Sequence, residues 1–297
     1  MSSGENRRGC GCSLLAGCAA ILLAALVAGV VGFFWGKHGL DLEFGPGVGV
    51  LDVFGEIADE RPILDQLDQL TSNPDTKAIV VRVDSPGGVI TVVEEIYKAL
   101  KRAESEGTPI VASMGSTAAS GGYFVCTAAD RVFANQSSLT GSIGVLVEFS
   151  SARDLLDKLG IKFETVASGE FKALGSIAEP LTDREREHMQ NVVNDFHSFF
   201  VETVSASRRM TADQVRTLAD GRVFTGRQAL GLGLVDEVGD LDAAVRYAGQ
   251  LAGIEGKPRI IRASEPRLSF WEFFDRFTTM AAAKVQRHLA APKFVMR

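Results

Sequence analysis

The sequence predicts an α/β protein built on a largely parallel sheet. Two observations carry this. Short apolar runs rich in β-branched residues, such as Val48 to Phe54 and Ala78 to Asp84, alternate with segments of helical period. This alternation of strand-like and helix-like segments, repeated along the body, argues parallel strands joined by crossover helices. With 297 residues the chain can hold one or two domains and a sizeable core.

The elements follow in order. Val48 to Phe54 reads as the first strand. Ile63, Leu64, Leu67 and Leu70 share one face, so Pro62 to Leu70 is a helix. Ala78 to Asp84 is a buried strand, Val92 to Ala103 a helix, Thr108 to Ser113 a strand, and Ser120 to Ala129 a helix. Further strands are expected at Arg131–Ala134, Ile143–Glu148 and Lys162–Ala167, with a helix from Ala152 to Leu159. The second half is more helical. Thr182 with Glu185, Thr211 with Gln214, and Thr225 with Gln228 have the spacing of a capping box, in which the threonine hydroxyl and the later side chain satisfy each other's backbone N–H. The first opens a long helix to about Ser207, and Asp240 caps another that ends near Gly253. From Ser269 the tail is rich in Phe and Trp, then Ala, then Lys and Arg. It reads as an amphipathic helix on the core, on a partner subunit or on a membrane surface.

The N-terminal segment is not globular. No charge interrupts Gly9 to Gly36, and Leu14 to Trp35 is nearly all apolar, about the 20 residues a spanning helix needs. Arg7 and Arg8 precede it, which places the N-terminus in the cytoplasm and the body outside. The run is longer than the core of a cleaved signal and ends in Phe33, Phe34 and Trp35, which favours an uncleaved anchor. The net charge of −6 argues against nucleic acid. Cys10, Cys12 and Cys18 cluster, Cys126 stands alone, and no Cys/His spacing suggests zinc. Neither a metal nor a cofactor is implied.

Chemistry points to the stretch Ser113 to Gly122, where nearly every side chain is small. Such a strand-to-helix bend exposes a serine, Ser120, and the glycines after it let backbone N–H groups approach a substrate. The competing reading is a close helix–strand contact that demands small residues. A nucleophilic serine needs a base. Of four histidines, His38 adjoins the apolar segment, His188 and His197 fall in the long helix, and His288 is in the tail. None is on a strand-end loop, so a Ser-His-Asp site is poorly supported. Lysine can serve if burial keeps it neutral, which means lowering its ordinary value of about 10.4 by roughly 3, on the order of 4 kcal/mol. Lys98, Lys101 and Lys158 lie on charged helical faces. Lys172 sits among Phe171, Ala173 and Leu174, with Glu170 the nearby charge; a surface lysine is the alternative. Asp84 to Gly88 ends a strand with strong turn chemistry, and its glycine N–H groups can donate to an oxyanion or simply form a turn. Ser142, in Thr140 to Gly144, can orient a base or be an ordinary turn serine.

Taken together in order, Asp84–Gly88, Ser113–Tyr123, Leu139–Val145, Ser168–Lys172, Asp220–Gln228 and Gly231–Asp242 resemble the signal peptide peptidase A family, membrane-anchored serine proteases with a Ser–Lys dyad. The resemblance implies Ser120 as nucleophile, Lys172 as general base, Ser142 as the hydroxyl that positions the lysine, and N–H groups of Gly87, Gly88 and Gly121 as the oxyanion hole. It implies a fold of the Clp protease/crotonase type, a spiral of ββα units with a helical C-terminal part. It also implies a homo-oligomeric ring in which the lysine can reach a neighbour's serine, signal peptides as substrates, and a bacterial membrane location with the catalytic part outside the cytoplasm. The expected organisation is a short N-terminus 1–12, a transmembrane helix 13–36, a linker 37–47, a protease domain 48–265 and a tail 266–297. Phe171 to Gly175 departs from the family's usual sequence after the lysine, which bears on the adjoining pocket. Two other readings use the same fold: a crotonase-type acyl-coenzyme A enzyme, and a non-catalytic membrane scaffold.

Overall fold

The computed structural model describes residues 45–263 and the backbone of Val295–Met296. The expected membrane span and most of the tail lie outside the described residues. Among the described residues no helix is long and apolar enough to cross a membrane.

Eight strands form one sheet: β1 (Gly47–Phe54), β2 (Thr76–Ser85), β4 (Ile110–Ala119), β5 (Arg131–Ala134), β6 (Leu139–Gly141), β7 (Val223–Thr225), β8 (Glu237–Val238) and β9 (Arg259–Arg262). The path runs β7-β6-β4-β2-β1-β9, and β5 joins β4 to β8. All these pairings are parallel except β6 with β7. A short strand β3 (Gly88–Val89) bridges Ile57 and pairs with β10 (Val295–Met296). The helices are α1 (Arg61–Ser72), α2 (Ile90–Ser105), α3 (Gly121–Cys126), α4 (Arg153–Lys158), α5 (Asp183–Arg208), α6 (Ala212–Arg216), α7 (Gly226–Gly231) and α8 (Leu241–Leu251).

The period-2 alternation of strand side chains divides the core between two faces. Val48, Val50, Ala78 and Val80 point to one side, under Ala244, Val245 and Ala248 of α8. Leu51, Val53, Ile79, Val81 and Val83 point to the other, against Ile63, Leu67, Ile96, Leu100 and Phe200 of α1, α2 and α5. A sheet buried on both faces accounts for the continuous apolar runs in the sequence.

The three capping boxes form at Thr182, Thr211 and Thr225, and the Asp240 carboxylate accepts the Ala243 N–H at 2.9 Å. Two expected strands do not form. Ile143–Glu148 follows a turn with positive φ at Gly141 (79°) and Ser142 (49°), and it forms no continuous strand among the described residues, only a single bridge at Leu146. Lys162–Ala167 lies exposed without regular structure. The strand expected to end at Ser113 instead runs to Ala119.

Candidate active site

Parallel strands deliver their loops to one end of a sheet, and ligands gather beyond the carboxyl ends of the strands. Here β2 ends at Ser85, β4 at Ala119 and β6 at Gly141, so the turn Ser85–Gly88, Ser120 and Ser142 emerge together.

Ser120 is the hinge between β4 and α3. Its φ of 51° and ψ of −117° are strained for a residue with a Cβ. The strain is held from both sides. Ser120 N–H donates to Gly141 O at 2.8 Å, and Phe124 N–H donates to Ser120 O at 2.8 Å. The residue is 0 % exposed, and among the described residues its Oγ has no hydrogen-bond partner. Of the three described non-glycine residues with positive φ, Ser120 and Ser142 are both here.

The glycines around it are set by close approach. A Cβ on Gly121 would lie 2.9 Å from Val93 Cγ2, 3.1 Å from Gly88 N and 3.2 Å from Gly87 Cα. A Cβ on Gly122 would lie 2.7 Å from Ser85 O. The start of α3 is thus pressed onto the Gly87–Gly88 turn. The N–H of Gly87 donates to Ser85 Oγ at 3.1 Å, which already engages it. That leaves Gly88 as the turn glycine whose N–H lies against Gly121. Gly121 opens α3, and a first-turn N–H has no acceptor within its own helix.

Asp84 is a residue whose role local sequence reading missed. Its carboxylate accepts the N–H groups of Ser116 at 3.2 Å and Thr117 at 3.0 Å. The β2–β4 register shifts here, between the pairs Val83–Met114 and Ser85–Ala118. The carboxylate bridges this irregularity and steers β4 toward Ser120. Gly115 leaves room for it, since a Cβ there would meet Asp84 Oδ2 at 2.6 Å. Asp84 opens the turn motif in the sequence, but its partners lie some thirty residues away.

Ser142 is 8 % exposed, and its N–H donates to Arg222 O at 2.8 Å. Gly221 N–H donates to Ile143 O at 3.1 Å, so the Asp220–Gly–Arg222 turn braces this loop. The Arg222 guanidinium pairs with Asp220 and holds its carboxyl at about 2, well below the ordinary range.

Lys172 is on a 3-10 turn, Glu170–Ala173, and is exposed. The turn is fixed to the start of α5. Glu170 pairs with Arg184 at 2.8 Å, the Arg184 guanidinium lies 5.9 Å from the Phe171 ring centroid, and Phe171 packs on His188 at 5.1 Å. Among the described residues nothing encloses Lys172 in the apolar surroundings that a neutral lysine requires, and Lys172 makes no hydrogen bond to Ser120 Oγ. The structure therefore brings Ser120, Gly88, Gly121 and the Ser142 loop to one end of the sheet and carries Lys172 on a separate exposed segment. His197 is occupied elsewhere, with Nε2 2.8 Å from Ala219 O.

The model of peptidase family S49 matches residues 102–255, just over half of the chain, and includes Ser120, Ser142 and Lys172. The chain belongs to peptidase family S49. The Clp protease model matches residues 51–140, which take in β2, β4, β5, parts of β1 and β6, and the two glycine turns, in agreement with the mixed, largely parallel architecture. A Synechocystis protein named as a protease is 40% identical over 178 residues, covering 60% of this chain and 64% of that protein. Protease 4 of Salmonella typhi is 37% identical over 183 residues, 62% of this chain and 29% of its own. The chloroplastic serine protease SPPA of Arabidopsis thaliana is 32% identical over 224 residues, 74% of this chain and 33% of its own. The chain thus spans less than two thirds of each of these relatives.

Proposed function

We propose that this S49 chain is a membrane-anchored serine endopeptidase that cleaves extended apolar peptides, remnant signal peptides among them. The observation that carries the reading is Ser120: strained, buried, without a hydrogen-bond partner for its Oγ among the described residues, and followed by Gly121, which is pressed against the Gly87–Gly88 turn. Neutral Lys172 takes the proton of Ser120 Oγ as the oxygen attacks the scissile carbonyl carbon. The N–H groups of Gly88 and Gly121 receive the developing oxyanion, each such donor typically worth about 3–4 kcal/mol. Lys172 then gives its proton to the leaving amine. A water molecule, deprotonated by Lys172, hydrolyses the acyl-serine and releases the second product. Ser142 holds the lysine Nζ in place.

The exposure of Lys172 supports a reading in which a second copy of the chain encloses it. In the assembled homo-oligomer a neighbour covers the lysine segment, removes it from water and completes the site. The apolar run Leu14 to Trp35 supports a single membrane anchor that holds the assembly at the bilayer where such peptides remain.

Ser120→Ala and Lys172→Ala each lower peptide cleavage by about a thousandfold or more, following the usual worth of nucleophile and base. Mixing the two inactive chains before assembly restores part of the activity, because intact serine and lysine then meet across an interface. Full activity in either single variant would refute the dyad. Loss in both with no recovery on mixing keeps the dyad within one chain.

A further inference from the structure

Ser85 ends β2 on the same face of the strand as Val81 and Val83, and it is 0% exposed. Its neighbours in that row are apolar, so a hydroxyl here needs a partner inside the chain. Ser85 Oγ accepts Gly87 N–H at 3.1 Å and lies 3.4 Å from Gly87 O. We propose that Ser85 is a positioning residue of the oxyanion hole: its hydroxyl fixes the Gly87–Gly88 turn so that the turn offers one donor, Gly88 N–H, to the reacting carbonyl. The proposal rests on the peptidase reading above.

The turn needs such a fixture. Pro86 sets its own φ, but Gly87 has a φ of 115° and is followed by a second glycine. Peptide planes between glycines rotate at little steric cost. A rotated Gly87–Gly88 peptide would present its carbonyl oxygen, rather than an N–H, to the forming oxyanion. Two contacts oppose that rotation. Ile57 N–H donates to Gly87 O at 2.9 Å. A trans peptide points its N–H away from its C=O, so this bond aims Gly88 N–H to the opposite side. Ser85 Oγ holds the preceding peptide plane through Gly87 N–H. With both planes held, the backbone of Gly87 between them is fixed.

Ser85 also lies against the element that carries the second donor. Its carbonyl oxygen is 2.7 Å, and its Cβ 3.3 Å, from where a Gly122 Cβ would lie. One buried residue thus touches both the glycine turn and the start of α3, where Gly121 sits. Ser85→Ala keeps the space that the Cβ fills and removes the acceptor, which leaves Gly87 N–H unpaired and the turn free to rotate. An ordinary serine turn that only closes a loop predicts a loss of stability with catalysis unaltered per folded chain.

The test uses the full chain in detergent with an amide substrate peptide and two ligands of related sequence. One is an uncleavable peptide; the other is a peptide boronate, which binds a nucleophilic serine as a tetrahedral adduct. In Ser85→Ala kcat falls about ten- to a hundredfold, less than the roughly hundred- to thousandfold that loss of a whole donor costs. KM and affinity for the uncleavable peptide are unchanged, and boronate affinity falls in proportion to kcat/KM, as expected when only the transition state is affected. The pH profile keeps its shape because the base is untouched. Native kcat or native boronate affinity in the folded variant would overturn the proposal. So would an equal loss of affinity for both ligands, which makes Ser85 a structural residue. Where Ser85→Ala does not fold, the unaltered chain with isotope-labelled glycine decides. Forming the boronate adduct moves the Gly88 and Gly121 amide resonances downfield and leaves Gly87 in place; movement of Gly87 together with Gly88 refutes the proposal. A native chain that cleaves no peptide and forms no adduct loses the peptidase reading itself. A native chain that cleaves, with Ser85→Ala equally fast, loses this proposal alone.

Discussion

Ser120 is held in two unfavourable states at once. Its backbone is in a region that costs on the order of 1–3 kcal/mol for a residue with a Cβ. Its hydroxyl is buried with no partner, a desolvation cost of about 1–3 kcal/mol. Both are sustained by neighbours fixed for other reasons: the Gly141 carbonyl, the α3 backbone and the packing onto the Gly87–Gly88 turn. A hydroxyl in this position is available to a reacting carbonyl because none of the described residues competes for it. Stability and activity should then move in opposite directions. Ser120→Ala removes the unpaired hydroxyl and keeps the backbone, so unfolding free energy rises by about 1 kcal/mol. Ser120→Gly also releases the strain, but glycine's unfolded-state entropy takes back about 0.5–1 kcal/mol, so it gains a similar amount. Denaturant unfolding of both variants measures this. Lower stability in both would mean that Ser120 is neither strained nor unsatisfied in solution.

At the scale of elements, the site depends on how α3 and the ends of the strands are anchored. Tyr123, two residues into the chain beyond Gly121, donates its hydroxyl to Leu234 O at 2.9 Å. That loop is fixed by Asp236, whose carboxylate meets Arg208 at 2.8 and 2.9 Å and accepts Val132 N–H at 2.8 Å. The Arg208 side chain is 6% exposed. Burial pushes the Asp236 carboxyl upward, but the Arg208 hydrogen bonds and charge and the Val132 N–H outweigh it, so it titrates below the ordinary range. A carboxyl with a lowered folded value stabilises the fold above its unfolded value and loses that contribution as pH falls through the folded one. Asp236→Asn leaves the buried Arg208 without its carboxylate, keeping only the bond from its Nε to Gly233 O, and costs about 3 kcal/mol at neutral pH, the low end for such pairs because Asp236 keeps some contact with water. The gap between native and variant chains narrows below about pH 4, which melting curves against pH reveal. A constant gap down to strongly acid pH would place the cost elsewhere. This clamp, like the Asp84 bridge, joins residues distant in sequence, and the sequence reading had no local signal for either. Local signals succeeded where the determinant is local: the capping boxes at Thr182, Thr211 and Thr225, the apolar strands β1 and β2, and the small-residue hinge before α3. They failed at Ile143–Glu148 and Lys162–Ala167, where β-prone composition forms no continuous strand among the described residues. Ser120, Gly88 and Gly121 could be singled out from turn chemistry, whereas the engagement of the Gly87 N–H by Ser85 could not.

At the scale of the molecule, the segment that bears Lys172 departs from the rest. Helix α4 buries no residue, and Leu155, Leu159, Ile161, Phe163 and Phe171 are 40–64% exposed, with Val166 at 94%. Scattered exposed apolar residues are ordinary on a protein surface, but a run along one segment marks a surface that another molecule covers. The sheet, by contrast, has a core filled on both faces. An assembly that covered this segment would enclose the exposed apolar run and, with it, the lysine proposed as the base. Phe163→Glu with Val166→Glu should therefore leave the melting of the sheet core nearly unchanged, since neither side chain is packed in the single chain. The same pair of charges should prevent association, because burying them at an interface is costly. Sedimentation is expected to give a folded monomer, and peptide cleavage should fall by about a hundredfold or more, the usual worth of a general base. Labelling of Ser120 by a serine-directed phosphonate should fall with it, if the proposed neighbour's lysine is the group that takes its proton. A monomeric variant that cleaved peptide at the native rate would mean that a single chain supplies its own base, and the exposed run would then need a different occupant.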